Sequence, residues 1–140
     1  MRKWTSLAIV STVVVGIVVC ASRPVSAHHS FTSFWFMDKT EAIEGVVVEL
    51  KMVNPHPTLK VEVTEPNGQK TVYTFTATAT ASALVKGGWT ADTLSAGTRV
   101  KVEGHPPRRE GTKGLAAGTI TNLGTGNKLS FGGALGIAVG

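Results

Sequence analysis

The chain has 140 residues, with 14 Lys and Arg against 9 Asp and Glu, a formal charge of +5 and one cysteine. That length suits a single domain with a single core. The basic excess sits mostly in the first 27 residues: without Arg2, Lys3 and Arg23 the balance is eleven against nine, or +2, which makes nucleic acid a poor partner.

Residues 1–27 read as a secretory signal peptide. Arg2 and Lys3 form a positive start, Leu7 to Val19 an apolar stretch, and Ser22 to Ala27 a polar region with small residues at the cleavage positions. The apolar stretch is shorter than the roughly 20 residues a spanning helix needs. A lipid anchor on Cys20 is disfavoured because Val19 stands where such signals carry Gly, Ala or Ser. Cleavage after Ala27 leaves 113 residues, periplasmic or secreted, with no stable membrane insertion. Cys20 leaves with the signal, so any metal must be held by nitrogen and oxygen.

Beyond the signal the rhythm has period two. A β-branched run over Ile43–Val53 predicts a first strand. Thr58–Thr64, with Leu59, Val61 and Val63 on one face, predicts a second, and Lys70–Thr76, with Tyr73 and Phe75 opposite Val72, Thr74 and Thr76, a third. Pro66-Asn67-Gly68 between the last two is a tight-turn sequence that makes them a hairpin. Ala79–Lys86 predicts a helix of about two turns, stopped by Gly87-Gly88. Thr98–Gly104, with Val100 and Val102 inward, and Leu115–Leu123 predict two more strands, and Lys128–Phe131 a short edge piece. Residues 132–140 read as a flexible, Gly-rich apolar tail beyond a domain spanning 28–131.

Three strands, a short helix and two strands is the order of an all-β, OB-like five-stranded Greek-key barrel, which binds ligands with the loops after its first and fourth strands. An open sandwich fits the same pattern. Here those loops are Asn54-Pro55-His56-Pro57 and His105 to Lys113, and they hold every histidine outside the pair His28-His29. His28-His29-Ser30-Phe31, Gly45, Asn54-Pro55-His56, Leu84-Val85-Lys86-Gly87-Gly88-Trp89-Thr90 and Gly97 to Gly104 together resemble the landmarks of small exported bacterial proteins grouped as a domain of unknown function. The resemblance covers nearly all of the chain after the signal. It implies export and a compact β domain, and brings no activity with it.

Function is therefore argued from the residues. Cut after Ala27, the chain begins with a free amine on His28, and that amine with the ring Nδ1 forms a chelate. A further imidazole, from His29 or His56, completes three nitrogens of the tetragonal kind that Cu(II) favours. The donors give up their protons to a metal at small cost near neutrality. Copper (Cu2+) heads the order of divalent affinities, with Zn(II) or Ni(II) taking the site when copper is scarce.

Each of these residues has a plainer reading. His28 and His29 are also what an ordinary processing junction looks like. His56 also suits a turn in which the imidazole bonds backbone, and His105 before Pro106-Pro107 suits a strand terminator. Arg108, Arg109 and Lys113 are either a solvated basic loop or an anion-binding rim. Phe31, Phe34, Trp35 and Phe36 form either an N-terminal strand or plug sealing the barrel, with Phe34 and Phe36 on one face and Trp35 on the other, or an exposed platform that stacks a sugar. Trp89 reads as a core residue at the barrel end.

Three functions follow. The first is an exported binding protein that takes Cu(II) through His28, His29 and His56, for metal trafficking or sequestration. The second is a metal-free OB-like interaction module that uses Asn54, Trp35, Arg108 and Arg109 in and beside the loops 54–57 and 105–113 to hold an anionic glycan or protein. The third is an oxidative copper enzyme. The sequence holds no phosphate loop, cysteine nucleophile, serine elbow or close carboxylate pair, which favours binding over catalysis.

Overall fold

A computed structural model describes residues 31–132. The expected signal peptide, His28, His29 and all of the expected tail except Gly132 lie outside the described residues. The protein is mostly β, with one short helix. Six strands run in the order β1 (Glu41–Lys51), β2 (Thr58–Thr64), β3 (Lys70–Ala77), β4 (Arg99–His105), β5 (Ala116–Asn122) and β6 (Lys128–Ser130), with α1 (Ala81–Lys86) between β3 and β4. A 3-10 turn, Phe31–Ser33, precedes them.

The period-two reading places the strands and their buried faces. Leu59 and Val61 on β2, Phe75 on β3 and Val100 and Val102 on β4 are wholly buried, whereas Val72 is half exposed. β2 and β3 form the expected hairpin, in register from Thr58 opposite Thr76 to Thr64 opposite Lys70. Its turn is longer than two residues. The Glu65 and Gly68 amides donate to Gln69 and Glu65 carbonyls across it, and Gly68 alone takes a positive φ, 83°, while Asn67 accepts from the Gln69 amide.

The helix starts two residues later than its alanine-rich composition suggests. Ala79 is already committed elsewhere: its amide donates to the Phe131 carbonyl and its carbonyl accepts from His56. Thr80 instead caps α1, its hydroxyl accepting from the Ala83 amide at 3.2 Å. At the other end the Gly87 amide returns to the Ala83 carbonyl, as the double glycine foretells.

The strands form one sheet in the order β3-β2-β1-β4-β5-β6, every neighbouring pair antiparallel. β1 serves both halves: residues 41–46 pair with β4 and 46–51 with β2, with an irregularity between Val47 and Glu49 that turns the strand. The far side nearly closes into a ring. Thr74 and Thr76 amides donate to the Lys113 and Leu115 carbonyls, after which β3 and β5 run parallel over Thr76–Ala116 and Ala77–Ala117. Gly114 permits this approach. Its φ is +145°, and a Cβ there would run into the Thr74 carbonyl.

Two expectations need correction. The sheet has six strands rather than five, because the expected edge piece is a strand of its own, Lys128–Ser130, paired with β5 from Thr119 to Thr121. Its end is core rather than fringe: Phe131 is fully buried, 5.1 Å from Trp89, whose indole N–H donates to the Ser130 carbonyl at 3.0 Å. The aromatic segment is a 3-10 turn and an isolated bridge rather than a strand. The interior is filled by side chains of the strands together with Leu84, Trp89, Leu94, Leu115 and Phe131, and Phe31, Phe34, Trp35 and Phe36 lie outside it, none fully buried, with a single bridge from Trp35 to Pro107. Phe34 is 61% exposed while Phe36 is half-buried, so the two share no environment.

Candidate functional site

The loop after β1 is pinned from several sides. Its Asn54–Pro55 peptide is cis, the Pro55 carbonyl accepts from the Ala81 amide, and buried Pro57 accepts from Ala77. This fixes His56 over the approach to α1, where its Nδ1 lies 3.1 Å from the Ala79 carbonyl. A carbonyl can only accept, so Nδ1 is the donor in this bond and Nε2 is the ring nitrogen not engaged by it. A metal-binding imidazole is commonly oriented by a bond of this kind. Asn54 beside it is exposed.

Phe31 packs edge-on against the His56 ring, with centroids 4.9 Å apart and planes at 87°. The 3-10 turn that begins at Phe31 closes with the Phe34 and Trp35 amides both donating to its carbonyl. From there the segment crosses to the loop after β4. The Phe36 amide donates to the Pro106 carbonyl and the Arg108 amide to the Phe34 carbonyl, each at 2.9 Å. Residues 31–36 thus join the two loops singled out from the sequence.

Arg108 is part of that junction. Its Nε–H is shared between the Thr32 and Trp35 carbonyls at 2.7 and 3.2 Å, and its guanidinium lies 4.4 Å from the centre of the Phe36 ring, which Lys39 also approaches at 4.4 Å. Arg109 is exposed, and its carbonyl accepts from the Thr112 amide. His105 ends β4 and has Nδ1 2.7 Å from the Lys39 carbonyl, so it ties the strand end to the chain ahead of β1. Trp35 is half-buried at the bridge to Pro107.

A second polar cluster has no counterpart in the sequence reading. Tyr73 Oη–H and Lys113 Nζ both donate to Glu65 Oε1, at 2.9 and 3.0 Å, and Lys113 also reaches Tyr73 Oη at 3.3 Å. The Lys113 ammonium, then the Tyr73 hydroxyl, hold the Glu65 carboxyl below its usual range. Glu65 first and Tyr73 second hold Lys113 above its own. Both groups are fixed in their charged forms, which suits a clasp between the β2–β3 hairpin and the loop before β5 and does not suit proton transfer. The partners are 48 residues apart, and nothing local in the sequence announces them.

Among the described residues, no three His, Cys, Asp or Glu side chains gather to hold a metal ion. His56 and His105 are each tied to backbone, and of the three expected ligand residues, His28, His29 and His56, only His56 lies among the described residues. No match is found among curated proteins. The model of a family of unknown function, DUF6152, matches residues 14–117, and the chain belongs to that family.

Proposed function

We propose that the protein is an exported, periplasmic or secreted copper-binding protein that takes one Cu(II) through the amine and ring of His28, with His29 and His56 completing the nitrogen set, for trafficking or sequestration. The observation that carries this reading is the contact of Phe31 with His56. At roughly 3.3–3.6 Å per residue, a chain leaving Phe31 reaches about 7 Å by His29 and about 10 Å by His28. Those lengths are enough for either histidine to reach His56, and this supports the reading. The nearly closed sheet is, in the same reading, an OB-like barrel whose two binding loops are bridged by residues 31–36. The order β3-β2-β1-β4-β5 with β3 returning to β5 supports it.

The test starts with mass spectrometry of the exported protein, expected to begin at His28, followed by copper titration of that species. One tight equivalent is expected. One extra residue before His28 removes the amine chelate and should sharply weaken binding. His56→Ala should weaken it and lower the number of nitrogens seen by electron paramagnetic resonance. Unchanged affinity in the extended protein would refute the proposal.

A second reading is a metal-free module that grips an anionic glycan or protein at the loop after β4. It is supported by Arg108 and Arg109, adjacent and both exposed on that loop. Binding of such a partner would survive chelators and be lost when Arg108 and Arg109 are both replaced by Ala.

A further inference from the structure

We propose that the junction between the loop after β4 and the chain ahead of β1 binds a tetrahedral oxyanion, the sulfate or phosphate ester of a glycan. Lys39 and Arg108, which share the Phe36 ring, hold the ester, and Phe34 beside them takes the sugar. The site rests on the second reading above, narrows its partner to a glycan, and does not involve copper.

Backbone bonds bring the two cations together. The Lys39 amide donates to the Phe36 carbonyl at 3.0 Å, closing a turn that returns the lysine over the ring three residues before it. Both ends of this turn are tied to the loop: the Phe36 amide donates to the Pro106 carbonyl at 2.9 Å, and His105 Nδ1 lies 2.7 Å from the Lys39 carbonyl. The Arg108 amide donates to the Phe34 carbonyl at 2.9 Å, and its guanidinium reaches the same ring. Each cation is 4.4 Å from the ring centre, so the two charges are at most twice that distance apart.

Neither cation has a carboxylate partner. Every ion pair among the described residues lies on other side chains, and Asp38 and Glu110, the nearest carboxylates along the chain, enter none. A ring satisfies a cation only in part, and two like charges on one ring repel, so an anion bound across them relieves that repulsion while accepting charge-assisted bonds from both. The Arg108 Nε–H is taken by the Trp35 carbonyl at 3.2 Å, which leaves the two terminal nitrogens for the ligand. A carboxylate has two oxygens, and the guanidinium fork fills both; a tetrahedral anion keeps an oxygen for the ammonium. Phe34, one backbone bond from Arg108, is 61% exposed. An apolar ring open to water beside two cations suits the face of a sugar that carries a charged ester better than a bare ion.

The experiment titrates the exported protein, in chelator and at physiological ionic strength, with a sulfated oligosaccharide, its desulfated form, an oligomer of galacturonate that carries only carboxylates, and inorganic sulfate. Lys39→Ala, Arg108→Ala and Phe34→Ala are compared with wild type, and Lys86→Ala, an exposed lysine at the end of α1, is the charge-matched control. The sulfated oligosaccharide should bind wild type and shift the nuclear magnetic resonance signals of Phe36, Lys39 and Arg108, and the desulfated and carboxylate oligomers should bind far more weakly. Lys39→Ala and Arg108→Ala should each lose at least about fivefold in affinity, the loss of one charge-assisted bond. Phe34→Ala should weaken the oligosaccharide and leave inorganic sulfate unchanged, and Lys86→Ala should match wild type. Wild-type affinity in Lys39→Ala, an equal loss in Lys86→Ala, or shifts confined to other residues would overturn the site, the last without any substitution. Equal binding of the carboxylate oligomer would overturn the tetrahedral anion, and inorganic sulfate binding as tightly as the oligosaccharide would overturn the glycan. Loss in the Arg108, Arg109 double variant with Lys39→Ala unchanged would overturn this site and leave the second reading standing, whereas wild type that binds none of the four would overturn both.

Discussion

Phe131→Ala tests whether the ring of strands depends on its last, shortest member. Phe131 is fully buried, is packed at 5.1 Å on Trp89, and holds β6 in place through its amide to the Gly118 carbonyl at 2.8 Å. Truncation removes the whole ring from a closed environment. The lost transfer energy and the cavity left behind together cost about 3–5 kcal/mol, including roughly 0.5–1.5 kcal/mol for the contact with Trp89. Against a typical total of about 5–15 kcal/mol this is a large fraction. At about 4–8 °C per kcal/mol for a domain of this size, Tm should fall by roughly 12–40 °C. Phe131→Leu, which keeps most of the volume, should cost less than about 1.5 kcal/mol. Urea and thermal unfolding followed by far-ultraviolet circular dichroism measure both. A loss below about 1 kcal/mol for Phe131→Ala, with an unchanged urea slope, would mean that β6 and Phe131 are peripheral.

The Glu65–Lys113 clasp makes a pH prediction with two limbs. The depressed Glu65 contributes stability that is present above the ordinary carboxylate value of 4.5 and lost as pH falls through its lower folded value. The raised Lys113 contributes stability that is present below 10.5 and lost as pH climbs through its higher folded value. The Tm difference between wild type and Lys113→Met should therefore be greatest between those limits and shrink at both ends; a constant offset across pH would contradict the clasp. Gly114→Ala should destabilise by about 1–3 kcal/mol or more in urea titrations, since φ is +145° and the new Cβ meets the Thr74 carbonyl. Gly111→Ala, at φ +77° in open space, should cost only about 1–2 kcal/mol of backbone strain, and an equal loss in the two would discount the close approach. Thr80→Ala, which removes the cap of α1, should cost about 0.5–2 kcal/mol in the same assay, and no change would show that the end of α1 is held by other contacts.

The sequence by itself determined what depends on neighbours a few residues away. Alternation placed β2 to the residue and put Leu59, Val61, Val100 and Val102 inside, Pro66-Asn67-Gly68 turned the hairpin, and Gly87-Gly88 ended the helix. It also singled out the two loops and the histidine at the tip of the first. Tertiary structure decided whatever needs partners far apart in the chain. The return of β3 to β5, the docking of β6, the seating of Phe31 on His56 and the grip of Arg108 on Thr32, 76 residues away, leave no periodic trace. The aromatic run shows why: Phe31, Phe34, Trp35 and Phe36 have the composition of a core segment, yet whether such residues enter a core depends on whether the rest of the chain has already filled it. Here it has, and the segment is left on the rim, spanning the loops that the local pattern could name but could not bring together.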